Sequence, residues 1–252
     1  MSTSPSGLLS VGLAAAALLT VSLLVGRWAG LGQARAMATA AVRAVVQLAG
    51  VALVIRLVFD TPALAPLYLT VMVSAAVATS AGRLAAVPRP VALRAAGTAI
   101  LTGATVSTTL ILVSGALPLS SRTAVPLAAQ LIGGAMTATT LAGRRMVDDV
   151  VAGWADVEGW LALGATPSQA VAEPARRGAA RAGEPTLDQT RNVGLVVLPG
   201  SFVGLLLGGA SPAQAATTQL LVLLGLMATQ TVAAVLVTRL LAGELGRRRP
   251  AV

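Results

Sequence analysis

Cysteine, histidine and lysine are all missing from this 252-residue chain. Without cysteine there is neither a disulfide nor a thiolate metal site. Without lysine there is no GxxxxGK[ST] phosphate loop, so the chain does not bind nucleotide in that way. Losing histidine and cysteine together removes the commonest general base and the strongest nucleophile. Aromatic residues make up 2% and charged residues 11%, too little for the surface of a water-soluble domain of this length.

What remains is 56% hydrophobic, with a mean hydropathy of +0.83. A helix needs about 20 mostly apolar residues to cross about 30 Å of hydrocarbon. Seven runs satisfy this: residues 8–25, 37–59, 63–80, 95–116, 124–142, 189–208 and 217–241. The expected fold is therefore an all-α polytopic protein, a single transmembrane domain in the cell membrane. The run 63–80 is short and begins near Pro66, and Pro199-Gly200 interrupts 189–208. No basic residue precedes the first apolar run, which reads as a retained helix and not as a cleaved leader.

The net charge of +9 comes from eighteen arginines, and their positions argue against nucleic acid as the partner. Arg27 and Arg35 follow the first run. Arg83, Arg89 and Arg94 follow the third, and Arg144, Arg145, Arg176, Arg177, Arg181 and Arg191 follow the fifth. Arg239, Arg247, Arg248 and Arg249 lie at the C-terminal end, whereas the opposite loops carry only Arg122. This alternation places the N-terminus outside and the C-terminus in the cytoplasm.

The outer loops 60–62, 117–123 and 209–216 are too short to form a capture domain. One long polar segment, 143–188, stands on the cytoplasmic side and holds seven of the nine acidic residues. Within it, Val157 and Leu161, with Trp160 beside them, mark a short helix over 157–163, and Gly164-Ala165 mark a turn. Thr166-Pro167-Ser168-Gln169 has the pattern of a capping box. It predicts a helix from Pro167 to about Ala182, interrupted at Pro174 and closed by Gly183-Glu184-Pro185. The residues Thr186 to Gln189 repeat the capping pattern at membrane re-entry.

The stretch Glu158-Gly159-Trp160-Leu161-Ala162-Leu163-Gly164-Ala165-Thr166-Pro167 resembles the coupling motif that an ABC-transporter permease presents to its ATPase. Glycine lets such a turn approach its partner closely, and the glutamate caps or pairs at the contact. Gly159 and Trp160 stand where the motif has alanines. Further blocks at 38–55, 133–146, 161–171 and 193–223 are similar to those of FetB-type permeases, in the same order. The resemblance implies a dimerising permease without cofactor or catalytic residue of its own. It implies a separate cytoplasmic ATPase subunit, which would bind ATP and Mg and contact Glu158 to Thr166, and a metal cargo such as iron. Two departures concern that cargo: Gly133-Gly134-Ala135-Met136 lacks an amide, and Pro199-Gly200-Ser201-Phe202-Val203-Gly204 lacks two thioethers.

Inside the runs, Arg43 and Gln47 share a helix face, either lining a cavity or snorkelling and bridging helices. Thr98, Thr102, Thr105 and Thr109 form a hydroxyl stripe, which joins helices or lines a path. Gln130, Met136, Gln219 and Gln230 complete the candidate pathway. Gly200, Gly204 and Gly208 follow Pro199 at the spacing of a close helix contact, within one subunit or across a homodimer. Asp148-Asp149 reads as a solvated helix end. An intramembrane enzyme is disfavoured because no run places a carboxylate deep in the bilayer, and a noncatalytic receptor or scaffold leaves the elbow unexplained.

Overall fold

The computed structural model describes residues 5–247 and residue 249. It divides into two units, 1–61 and 62–252. Among the described residues regular structure is helical, and six helices are long and apolar enough to cross a membrane.

The first unit is a helical hairpin of α1 (Pro5–Trp28) and α2 (Ala34–Asp60). Gly30 and Gly32 take φ of 65° and 66° at its turn, a region open to glycine without strain. Leu31 N–H and Gly30 N–H bond back to the carbonyls of Gly26 and Arg27, closing α1 in a Schellman motif. Leu13 and Leu53 are more than 70% exposed, as suits helices whose apolar side chains face lipid.

The second unit comprises α3 (Ala65–Arg83), α4 (Arg89–Val113), α5 (Ser121–Ala152), α6 (Trp154–Ala162), α7 (Pro167–Ala170), α8 (Ala172–Asn192), α9 (Gly200–Leu207) and α10 (Pro212–Leu245). Helix α10 packs along α4, α5 and α8, and α3 packs along α4 and α5. Small residues allow this closeness. Ala96, Ala99 and Gly103 of α4 are buried, and a β-carbon added to Gly103 would stand 2.7 Å from the Thr229 carbonyl oxygen of α10. Single polar clasps reinforce the apolar contacts. Thr229 donates to the Gly103 carbonyl at 3.3 Å, and Ser80 of α3 lies 3.0 Å from the Thr140 hydroxyl of α5.

The expected span 189–208 is not one helix. Helix α8 ends at Asn192, whose carbonyl accepts the amides of Leu195, Val196 and Val197. Gly194 turns with φ of 81°, and Pro199 brings no N–H before α9 begins. The interruption expected at Pro174 falls earlier, at Val171, so Pro174 sits in the first turn of α8, where a missing N–H costs nothing. Nor does α8 stop at Gly183-Glu184-Pro185. It runs through Pro185, and the expected cap at Thr186 is absent because that hydroxyl donates instead to Gln230 Oε1 at 2.6 Å.

Gly103→Val should lower thermal stability by about 1–3 kcal/mol, since overpacking at a backbone contact forces α4 and α10 apart. Gly133→Ala, with open space around it, serves as the control. Detergent-solubilised melting curves compare them.

Candidate functional site

The polar elbow follows α5 directly. Gly153 N–H bonds the Asp149 carbonyl, and α6 starts with Asp156 in its first turn, a favourable end for a carboxylate. Val157 is 2% exposed and Leu161 and Trp154 pack on the core, so one face of α6 is held down. Glu158, Gly159 and Trp160 face outward, and Leu163 is 81% exposed. Trp160 therefore departs from the face expected for it: it does not join Val157 and Leu161 inside but is 57% exposed. Among the described residues Glu158 makes no ion pair, and a β-carbon on Gly159 would meet nothing within 4 Å.

The turn after α6 is a Schellman motif. Ala165 N–H reaches the Trp160 carbonyl and Gly164 N–H the Leu161 carbonyl, both at 3.0 Å, with Gly164 at φ of 91°. The capping box forms as its spacing predicts: Gln169 N–H donates to Thr166 Oγ1, and Thr166 N–H donates to Gln169 Oε1 at 2.8 Å. Pro167 then meets the end of α10 so closely that Gly246 has no room for a side chain against the Pro167 carbonyl, and Gly243 faces Ser168. A groove of about 390 Å³ runs beside the elbow, lined by Asp156, Gly159, Trp160, Leu163, Glu173 and Arg177. Glu173 accepts two bonds from Arg176, which hold its carboxyl below the usual range. That pairing is present at neutral pH and is lost as acid protonates the carboxylate.

Helix α8 departs from the elbow and lies between α5 and α10. Pro174, Gly178, Ala182 and Thr186 form its buried face. A β-carbon on Gly178 would stand 2.9 Å from the Ala142 carbonyl oxygen of α5. Asp149 of α5 pairs with Arg177 at 3.7 Å and Arg181 at 3.6 Å. It is thus a link between helices and not the solvated helix end expected from Asp148-Asp149. Pro185 deprives the Arg181 carbonyl of its helical donor, and the Arg145 guanidinium of α5 donates to that carbonyl instead.

Three pairs give the direction of this segment: Ser168 with Gly243, Thr186 with Gln230, and Ser201 with Gln219. They ascend one strand of chain while descending the other over about 36 Å of helix, so residues 168–201 run antiparallel to α10 along most of its length. Together α8, the irregular link 193–199 and α9 lie beside α10, although neither helix is among the six long and apolar enough to cross a membrane. Gly178 rests on the turn of α5 from Ala142 to Met146, the turn that carries Arg144 and Arg145. Asp188 stands about 15 Å further along α8 and Arg191 about 20 Å. A charge at the centre of a bilayer costs about 2.5–3.5 kcal/mol even on insertion scales.

Of the polar residues proposed as a pathway, the structure unites Gln219 with Ser201 and Gln230 with Thr186. Both glutamines are buried, Gln130 is exposed, and Met136 is half-buried with its carbonyl accepting from Ser80. Arg43 and Gln47 are exposed on α2 in the first unit. Thr98, Thr102, Thr105 and Thr109 point away from the core of their unit. Gly200 and Gly204 have open space at their β-carbon positions, and Gly208 meets only carbonyls of its own helix. Sequence reasoning missed Thr186, Ser201 and Arg145. The small residues 174, 178, 182 and 186, four apart among charges, were the available signal.

Residues 9–245 match the Uncharacterised protein family (UPF0014). The chain belongs to that family. It is 35% identical over 229 residues to the UPF0014 membrane protein STAR2 of Oryza sativa, covering 90% of this chain and 80% of that protein. It is 36% identical over 169 residues to the protein Aluminum Sensitive 3 of Arabidopsis thaliana, covering 67% and 61%. Over 138 residues it is 32% identical to the probable iron export permease protein FetB of Escherichia coli, covering 55% and 53%. No solved structure matches it. This chain is thus a multi-pass membrane protein of a family that includes a named permease.

Arg145→Leu should cost about 1 kcal/mol, because it strands the Arg181 carbonyl. Thermal unfolding in detergent and faster proteolysis within residues 172–192 report it. Arg144→Leu, at an exposed position, should leave both unchanged.

Proposed function

We propose that this chain is the membrane subunit of an ABC-type transporter that exports a metal ion. Two copies form the permease, and a separate cytoplasmic subunit binds and hydrolyses ATP with Mg. Iron is the cargo suggested by the name of the FetB relative. The observation that carries the reading is the elbow: α6, its Schellman turn and the Thr166 capping box form a rigid protrusion whose far side abuts the end of α10 at Pro167 and Gly246. A push on Glu158, Trp160 or Leu163 is transmitted to a helix that reaches the other end of the bundle. Short outer loops, with no platform for a capture protein, favour export.

A different small solute is the second reading, and position 134 supports it. A β-carbon on Gly134 would stand 2.6 Å from a Leu226 methyl and 3.4 Å from Gln230 Nε2, so helix packing fills the place where the resemblance would put an amide ligand.

Purification of the tagged full-length chain from its native membrane tests the partnership. An ATPase subunit should co-purify in stoichiometric amount, and its absence from every mild detergent would overturn the proposal. Glu158→Lys and Gly164→Trp should leave insertion intact while ATP-dependent transport falls at least about tenfold, the loss expected when a coupling contact worth about 1.4 kcal/mol is removed. Transport at the parental rate in both variants would count against the elbow as the receiver.

A further inference from the structure

Between Gly178 and Asn192, α8 extends inward from the arginine-rich end of the bundle and yet stays charged on its outer face. Glu184, Asp188, Arg191 and Asn192 are exposed there, and Leu187 lies among them. Asp188 and Arg191 approach to 3.5 Å, but their side chains remain 69% and 73% exposed. Among the described residues Glu184 has no ion-pair partner. Three surroundings are conceivable for such a face. Hydrocarbon is excluded by the cost of ionised groups at that depth. A dry protein contact would have to bring a cation against Glu184, since a carboxylate left buried and unpaired is the costliest arrangement. Water asks for no such partner.

The backbone beyond α8 is irregular as well, although the amides of residues 194–197 are bonded within residues 192–197. Residues 193–199 are neither helix nor strand, and Leu195 and Val196 are at least 80% exposed, so the second unit does not itself enclose this link. Irregular backbone at membrane depth is tolerated where protein buries it or where it borders a water-filled cavity. A polar helix that ends in such a link, opposite a short helix from the other side, is the arrangement by which broken helices border a solute path.

We propose that the outer face of α8 from Glu184 to Asn192, with the link 193–199, lines a water-filled path for a small hydrophilic solute that travels with its hydration shell, such as a hydrated ion. The inference rests on the permease reading and deepens it. The path lies on α8 and not along the threonine stripe of α4, and the buried Thr186–Gln230 bond fixes the wall in place from behind. Charges of both signs on this face suit a hydrated solute and not a lipid.

The absence of cysteine makes the test clean. Glu184→Cys, Asp188→Cys and Leu187→Cys are introduced singly into the full chain and treated in inside-out vesicles with a charged, membrane-impermeant methanethiosulfonate. Leu101→Cys on α4 and Leu224→Cys on α10 represent the lipid-facing surface, and Arg176→Cys the open cytoplasmic end. A thiol reacts as its thiolate and so needs water, which makes rate a measure of hydration. The α8 thiols should react within about tenfold of Arg176→Cys, and the two lipid-facing thiols at least about a hundredfold more slowly. Leu187→Cys is decisive, because it replaces an apolar side chain, as the controls do, and disturbs no charge. If Leu187→Cys and Glu184→Cys were as slow as Leu101→Cys, the path would not run there. The labelling needs no ATPase, so its failure is separable from a failure of the partner to co-purify.

Discussion

A helix of 34 residues is about 51 Å long, far more than the roughly 30 Å of hydrocarbon it has to cross. The excess of α10 sets the rest of the architecture. Its arginine-rich end stands where Pro167 and Ser168 of the elbow can rest on Gly246 and Gly243. Its middle offers Gln230 to α8, and its opposite half offers Gln219 to α9. The elbow, α8 and α9 are therefore all fastened to one long helix, which is the proposed route by which a displacement at the elbow would travel. A core packed to the density of a solid transmits such a displacement without damping it.

The second constraint is the cost of polar groups away from water. Helix α8 is too charged to be a lipid-facing span, yet it lies between α5 and α10 over most of its length. It manages this by presenting small residues inward and by meeting each inward polar group with a partner. Gly178 lets its backbone rest on that of α5, Asp149 gathers Arg177 and Arg181, and Arg145 donates to the carbonyl that Pro185 leaves open. The glycines of α9 at 200 and 204, by contrast, are left open. Their free edge and the charged outer face of α8 are the parts of this unit that its own packing leaves uncovered.

Most apolar spans were legible from composition, because a run of about twenty apolar residues has few other stable environments. The elbow was legible too: Gly164 and the Thr166–Gln169 box are local signals, and local geometry decides them. What escaped was tertiary. Pro185 reads as a helix stop, but a guanidinium on another helix compensates for its missing donor. Thr186 reads as a cap, but a buried glutamine forty-four residues away claims its hydroxyl. The apolar run 189–208 reads as a span, since hydropathy does not register that Asn192, Gly194 and Pro199 together end one helix before another begins. The first two failures come from a partner distant in sequence, which a pattern within a short window does not contain; the third is local and was signalled in part by Pro199-Gly200.

On the proposed reading, ATP hydrolysed by a separate subunit moves a hydrophilic cargo, a metal ion in the favoured case, out of the cytoplasm. The most direct test follows radioactive iron in sealed inside-out vesicles that contain this chain and its co-purified ATPase. ATP, but not a non-hydrolysable analogue, should drive iron into the lumen, and vesicles lacking the chain should show no such uptake. ATP-driven loss of preloaded iron from the lumen, or no ATP-dependent movement of any metal ion tested, would contradict it.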